Sequence, residues 1–379
     1  MTGRLGIHKK IFNNNSGIAL LVTLAVIFVL LTAALYLARI TGESVMATGK
    51  ETDDFIAREM ALSGIHLAMA ILADDAAKNE IDSVQEDWAN PKKISEAVGQ
   101  LGFTQGKLLL TITDELGKLQ VNALLQAFPG HELNRDQQLL WENFLSTRIA
   151  PDKSEDPRDV AAIINSLKDW LDSGDDDAVT GLSGAESDYY LGLESPHACG
   201  NGPFNQVSEL LNVKGITPAL LDIGTKEEPP TDEPLKKALE FSDVFTVYGM
   251  AKAPLGAKTY GFPGKININT AGIDVLAALF PRGMEDLAQD LIDFREETAQ
   301  DGTTFINLLD KGWYERVIEF SEQEKKRFDR MIRYASNYFE AKSTAKVNDT
   351  EVVVSAYIIR EQNKKTNQWG CRILQLTRD

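Results

Sequence analysis

The sequence predicts an α+β protein: an N-terminal transmembrane helix continuing as a helical spine, a small antiparallel sheet, and a large helical domain inserted into that sheet. Three observations predict it. Residues 18–38 are a charge-free apolar run, and apolar residues after Arg39 recur at helical spacing. Two stretches that alternate apolar and polar residues lie far apart, near 108–122 and 351–377. The segment between them is too long for a loop and reads as mostly helical.

The run IALLVTLAVIFVLLTAALYLA, Ile18 to Ala38, is long enough at about 1.5 Å per residue to cross a hydrocarbon core of about 30 Å. Arg4, Lys9 and Lys10 precede it without an acidic residue, so the amino terminus stays in the cytoplasm and the bulk lies outside. A secretory signal would be shorter and would end in an A-x-A-like site. Here the polar leader NNNSG places Gly17 directly against the apolar run. This resembles the type IV prepilin class, whose peptidase cuts after glycine and leaves the apolar helix in place. Cleavage is expected between Gly17 and Ile18. The fifth residue after that bond is Val22, where most members of the class carry a glutamate.

Beyond the membrane, Met46, Phe55, Ile56, Met60, Leu67 and Leu72 share a helical stripe, with Glu51, Asp53, Asp54, Arg58 and Glu59 between them. LLLTITDELGKLQVN, Leu108 to Asn122, alternates around Gly117 and reads as a β-hairpin. EVVVSAYIIREQ and WGCRILQLT flank the polar stretch Asn363 to Gln368 and read as a second. The expected divisions are a leader over 1–17, a membrane helix over 18–38, a spine with first strands over 39–122, an inserted helical domain over 123–340, and closing strands over 341–379.

Among 379 residues, 56 acidic against 39 basic side chains give a formal charge of −17. That argues against a nucleic-acid scaffold, whose affinity comes from clustered Lys and Arg. The four histidines are scattered, and neither Cys199 nor Cys371 belongs to a C-x-x-C pair. No G-x-x-x-x-G-K-[ST], G-x-S-x-G or H-E-x-x-H motif occurs, so no enzymatic activity is expected. ININTAGIDVLAALFPRGMEDLAQDLIDFRE resembles the helix-hairpin-helix module of membrane-anchored DNA receptors, with Asn267 and Asn269 at its entry turn. Its turn reads PRGMED, however, and Glu285 and Asp286 would repel phosphate. A packing or partner-contact role is favoured.

Asp169, Asp172, Asp175, Asp176, Asp177 and Glu186 gather around Gly174, Gly181 and Gly184. Hard oxygen donors on a flexible loop suit calcium, although the spacing is not that of an EF-hand. From the residues alone a solvated acidic loop is equally open. A general acid/base pair lacks an accompanying nucleophile or histidine.

The surrounding run holds D-W-x-D, then G-A-E before a tyrosine pair, N-G before a helix carrying S-E-L, and V-x-G-I. With the leader and KININTA, these elements resemble the type II secretion minor pseudopilins of the general secretion pathway protein K family. The resemblance implies a tip subunit of the pseudopilus that initiates its assembly with I- and J-type minor pseudopilins and supports protein export across the outer membrane. It implies an inner-membrane anchor with the bulk in the periplasm of a Gram-negative bacterium, and the missing glutamate at Val22 is typical of it. It also implies calcium in the helical domain, with Asp169, Asp172, Asp175, Asp177 and Glu186 as candidate ligands. In an oxidising periplasm, Cys199 and Cys371 are expected to form a disulfide. A minor pilin of a type IV pilus is the alternative within the same class.

Overall fold

The computed structural model describes residues 16–147, 157–174, 179–181, 183–218, 220, 241–251, 257–300 and 302–378. Helix α1 runs unbroken from Ser16 to Lys78. From Gly17 to Thr52 it is exposed, and beyond that point it buries Ala57, Met60, Ala61, Ile65, Ala68 and Leu72. The apolar stretch at its start is long enough to cross a membrane.

Helix α2 (Pro91–Gly99) starts where Asn90 accepts hydrogen bonds from the backbone of Lys92 and Lys93 and where Pro91 needs no donor partner. Strand β1 (Lys107–Asp114) follows, then a short β2 (Leu119–Gln120), α3 (Arg135–Ser146), α4 (Pro157–Leu171) and α5 (Ser187–Leu191). The chain continues through α6 (Phe241–Val244), β3 (Phe245–Thr246), β4 (Ile266–Asn267), α7 (Ile273–Ala278), α8 (Leu287–Glu296), α9 (Glu322–Met331) and β5 (Ile332–Arg333). It closes with three long strands, β6 (Tyr338–Val347), β7 (Thr350–Gln362) and β8 (Trp369–Arg378).

The main sheet has the order β1-β6-β7-β8, every neighbouring pair antiparallel. One face lies on α1, where Leu110, Ile112, Ala341, Ala345, Val354 and Ile358 meet the buried helix stripe. Closeness there depends on small residues: a Cβ added at Gly64 would stand 2.2 Å from Ser343 Oγ. The expected hairpin after Asn363 is present, β7 pairing with β8 across a turn where Asn367 takes a positive φ of 58°.

The hairpin expected over 108–122 does not form. β1 pairs instead with β6, from Lys107↔Lys346 to Asp114↔Phe339, while Leu119–Gln120 pairs in parallel with β3. The cause is local: Asp114 accepts from Leu116 N and closes a single turn, and Glu115 and Lys118 turn inward as a buried ion pair. The polar residues that suggested a solvated turn are therefore part of the interior.

A second core fills the helical region. Trp141 stacks on Phe245 at 5.4 Å between ring centroids, and Phe144 meets the same ring edge-on at 5.3 Å. The seam between this core and the sheet is polar. The backbone of Asp82 bonds to Tyr334 O, and its carbonyl accepts from Asn267 and Asn269. Asn267 also donates to Asp114 at 2.8 Å. The two asparagines that the sequence placed at an entry turn thus tie the helical region to the end of the spine.

Candidate metal centre

Asp169 lies in the last turn of α4 and Asp172 just past its end, so their spacing of three puts both on one side. The chain then returns over them. Asp169 accepts from Thr180 N at 3.1 Å and Ala185 N at 2.9 Å. That return requires glycine at position 184, where an added Cβ would lie 1.9 Å from Asp169 Oδ2. Glu186, in extended conformation before α5, completes the group. All three residues are buried, and one oxygen from each lies within 4.8 Å of the others.

That separation matches a calcium ion, whose ligand oxygens at about 2.4 Å can stand up to about 4.8 Å apart across it. The charges agree. Lys168 Nζ sits 2.7 Å from Asp172 Oδ2 and 4.0 Å from Asp169 Oδ1, and His131 Nδ1 lies 3.7 Å from Asp172 Oδ2, so among the described residues three carboxyl groups face one lysine and one imidazole. Asp172 Oδ1 is buried with no hydrogen-bond partner among the described residues, a costly state that a cation would relieve. Asp175 and Asp177, the other two expected ligands, lie outside the described residues.

The disulfide expected between Cys199 and Cys371 is absent, and both thiols are free. Each belongs to a different core: Cys199 is buried in the helical region, whereas Cys371 packs on the sheet beside α1. Burial pushes the Cys199 thiol up to about 12, far from the thiolate that exchange chemistry needs.

Gly17 and Ile18 occupy the exposed start of α1, and nothing lies within 4 Å of a Cβ placed on Gly17. Packing gives no reason for glycine there.

One group escaped sequence reasoning. Asp75, Asp82 and Glu86 bring carboxylate oxygens within 4.8 Å of one another at the seam. Arg360 of β7 donates to Asp75 at 3.0 Å and to both oxygens of Asp82 at 2.7 Å. Burial raises the Asp82 carboxyl to about 6 against the pull of Arg360. It raises Glu86 to about 7, with the charge of Asp75 adding to the shift. No local motif could have shown this, because Arg360 is brought in from the far end of the chain.

In the helix-hairpin-helix-like segment, the exposed Gly283 N–H donates to Glu285 at 2.7 Å. A backbone donor that could meet a phosphate is already engaged by a carboxylate.

An exposed apolar helix continuing as the spine of an antiparallel sheet, with a helical body spliced into that sheet, defines a pilin-like, anchor-bearing class of protein. Residues 117–223 match the family described as Type II secretion system (T2SS), protein K. The chain is 25% identical over 205 residues to the Type II secretion system protein K of Klebsiella pneumoniae, covering 54% of this chain and 59% of that one. It is 26% identical over 230 residues to that of Pseudomonas aeruginosa, covering 58% and 54%. The matches thus span little more than half the length of these relatives. Among solved structures, the fold is similar to one in the GspK-GspI-GspJ complex of enterotoxigenic Escherichia coli, with a TM-score of 0.59 and 20% identity over 88% of this chain and 99% of that one. The resemblance to the protein K family that the sequence displays is thereby shown.

Proposed function

We propose that this chain is the minor pseudopilin at the tip of a type II secretion pseudopilus, where it initiates assembly and supports protein export across the outer membrane. The observation that carries the reading is the form of α1: an exposed apolar rod without a carboxylate at Val22, topped by a sheet with a bulky helical insertion. Pseudopilins pack such rods side by side in a shaft. A helical body of this size is sterically unsuited to a position with subunits above it, and Val22 offers no charge for a neighbour's amino group to pair with.

In this reading the chain is held in the inner membrane with its bulk in the periplasm, and prepilin peptidase cuts between Gly17 and Ile18. Its partners are the I- and J-type minor pseudopilins, as the similar fold solved together with GspI and GspJ supports. The role is structural, not enzymatic. Calcium bound by Asp169, Asp172 and Glu186, with Asp175 and Asp177 as further candidate ligands, orders the loop after α4.

The test is co-expression with I- and J-type partners in a strain lacking the native gene. A stable ternary complex and restored export are expected from the wild-type chain. Gly17→Val should remain at precursor mass and restore neither. Normal processing of that variant, or restored export by the uncut form, would remove the prepilin reading.

A further inference from the structure

The sheet has a face that α1 does not touch. Its register places Lys107, Lys346 and Glu351 side by side there, followed by Leu109, Thr344 and Val353, and then by Thr111, Lys342, Ser355 and Thr377. Lys107, Lys342 and Lys346 are exposed. None of them makes an ion pair within 4.0 Å among the described residues. Leu109 stands 65% exposed between them. Two carboxylates lie beside the lysines: Glu351 at the rim, and Glu340 in the next row, half-buried and 4.0 Å from Lys118. A basic strip, with Glu351 opposite Lys346 and Glu340 near Lys342, runs against the overall field of a chain of formal charge −17.

The strip leads into a cleft. Where the row of Thr113, Glu340, Tyr357 and Gln375 reaches the helical region, Asn205, Gln206 and Ser208 rise as a wall around a volume of 430 Å³ that Glu115 also lines, its carboxylate held by Lys118 and Thr246. Tyr248 closes its base, stacked on Tyr357 at 4.4 Å and bonded to Gln375 at 2.7 Å. Among the described residues β8 is the outermost strand on this side, with no strand paired to its outer edge.

We propose that this strip and cleft dock an extended acidic segment of a partner polypeptide. Lys342 and Lys346 lie four residues apart on β6, which is about 13 Å along a strand. Carboxylates at i and i+4 of a segment lying along β6 meet both ammonium groups, while Leu109 and Val353 receive the apolar side chains between them. The side-chain amide of Asn205, whose backbone N–H donates to Glu209, suits the backbone of a segment whose end enters the cleft. Because the face is opposite α1, it stays open when α1 is packed in lipid or among other helices. The proposal is independent of the tip assignment.

Full-length protein in nonionic detergent would be titrated with a fluorescent synthetic peptide carrying Glu at i and i+4 among Thr and Val, and with its Gln counterpart. The Glu peptide should bind at least roughly tenfold more tightly, with affinity falling as salt rises. The alanine pair Lys342→Ala with Lys346→Ala should weaken the preference with Tm little changed, since the side chains are exposed, and Lys342→Glu with Lys346→Glu should abolish it, its Tm falling somewhat because Glu340 and Glu351 are neighbours. Equal binding of the two peptides, or an unchanged preference in the charge-reversed protein, would overturn the proposal. So would displacement of the peptide by polygalacturonate at equal charge, which would assign the face to an anionic glycan. Dimers that dissociate on charge reversal would assign it to a second copy of this chain.

Discussion

Asp172 is anchored on one oxygen by Lys168 and has no hydrogen bond among the described residues on the other, so its response to a divalent cation should be larger than that of Asp169, whose oxygens already hold the returning backbone. Calcium at about 100 times its dissociation constant adds about 2.7 kcal/mol to stability. Tm should therefore rise by several degrees in calcium relative to chelator, and Asp172→Asn or Glu186→Gln should shrink that rise. Identical melting of the wild type in both buffers would make the group an ordinary charged core. A second residue-scale expectation concerns Glu86, which bonds to Ser83 N and Trp88 Nε1, both at 2.9 Å, and is the one carboxylate of its trio without a hydrogen bond to Arg360. Asp75 and Asp82 face it, and Asp114 acts on Asp82 from beyond. Its folded value of about 7 exceeds its ordinary 4.5, so the protonated form is favoured by folding. The stability it confers is complete below about pH 4.5 and is lost as pH rises to about 7. With solvent screening of a half-buried group, the loss should be on the order of 1–2 kcal/mol. Glu86→Gln, which keeps the acceptor and removes the charge, should flatten the Tm profile between pH 5 and 8. A profile identical to wild type would sink the assignment.

At the scale of elements, the tightest contact is that of α1 with β6. Gly64→Leu places carbon where Ser343 Oγ and Leu108 Cδ2 already stand, 2.2 and 3.3 Å from the first added atom. Overpacking of this kind costs about 1–3 kcal/mol, and urea unfolding should show it. Ser343→Ala should recover part of the loss in Gly64→Ala, whereas additive effects in the double variant would mean that the two elements separate freely. The same contact explains what the sequence hid. β6 escaped notice because its inward residues next to the helix include Ala341, Ser343 and Ala345, too small to give apolar alternation. β7, with Val352, Val354 and Ile358 inward, was plain. β1 was legible as a strand, but its partner was not, since nothing between Asp114 and Gln120 announces that Glu115 and Lys118 will pair inside the protein. In the metal centre, the carboxylates were visible as a cluster, and the closing role of Gly184 was not, because it depends on how the loop comes back. The trio around Arg360 lies within residues 75–86, but nothing local announced its pairing, because Arg360 reaches it from β7.

For the whole molecule, the decisive property is continuity. Residues 16–78 form a single helix, about 95 Å long at about 1.5 Å per residue, and the seam at Asp82 fastens its end to both the sheet and the helical region. Glu43→Pro would remove one backbone hydrogen bond and kink the exposed portion, at a cost of about 3 kcal/mol to the helix. The variant should still enter the membrane and its folded part should melt as wild type does, because residue 43 touches neither core. Under the proposed export role, secretion by a strain carrying the variant in place of the wild-type chain should fall sharply. Undiminished export would mean that the two ends need not be rigidly joined. The exposed stretch up to Thr52 is then a lever arm of about 55 Å, and a tilt of about ten degrees at its foot sweeps the head sideways by about 10 Å. A small reorientation in the plane of the lipid is in this way delivered to the far end as a stroke comparable to the width of a helix.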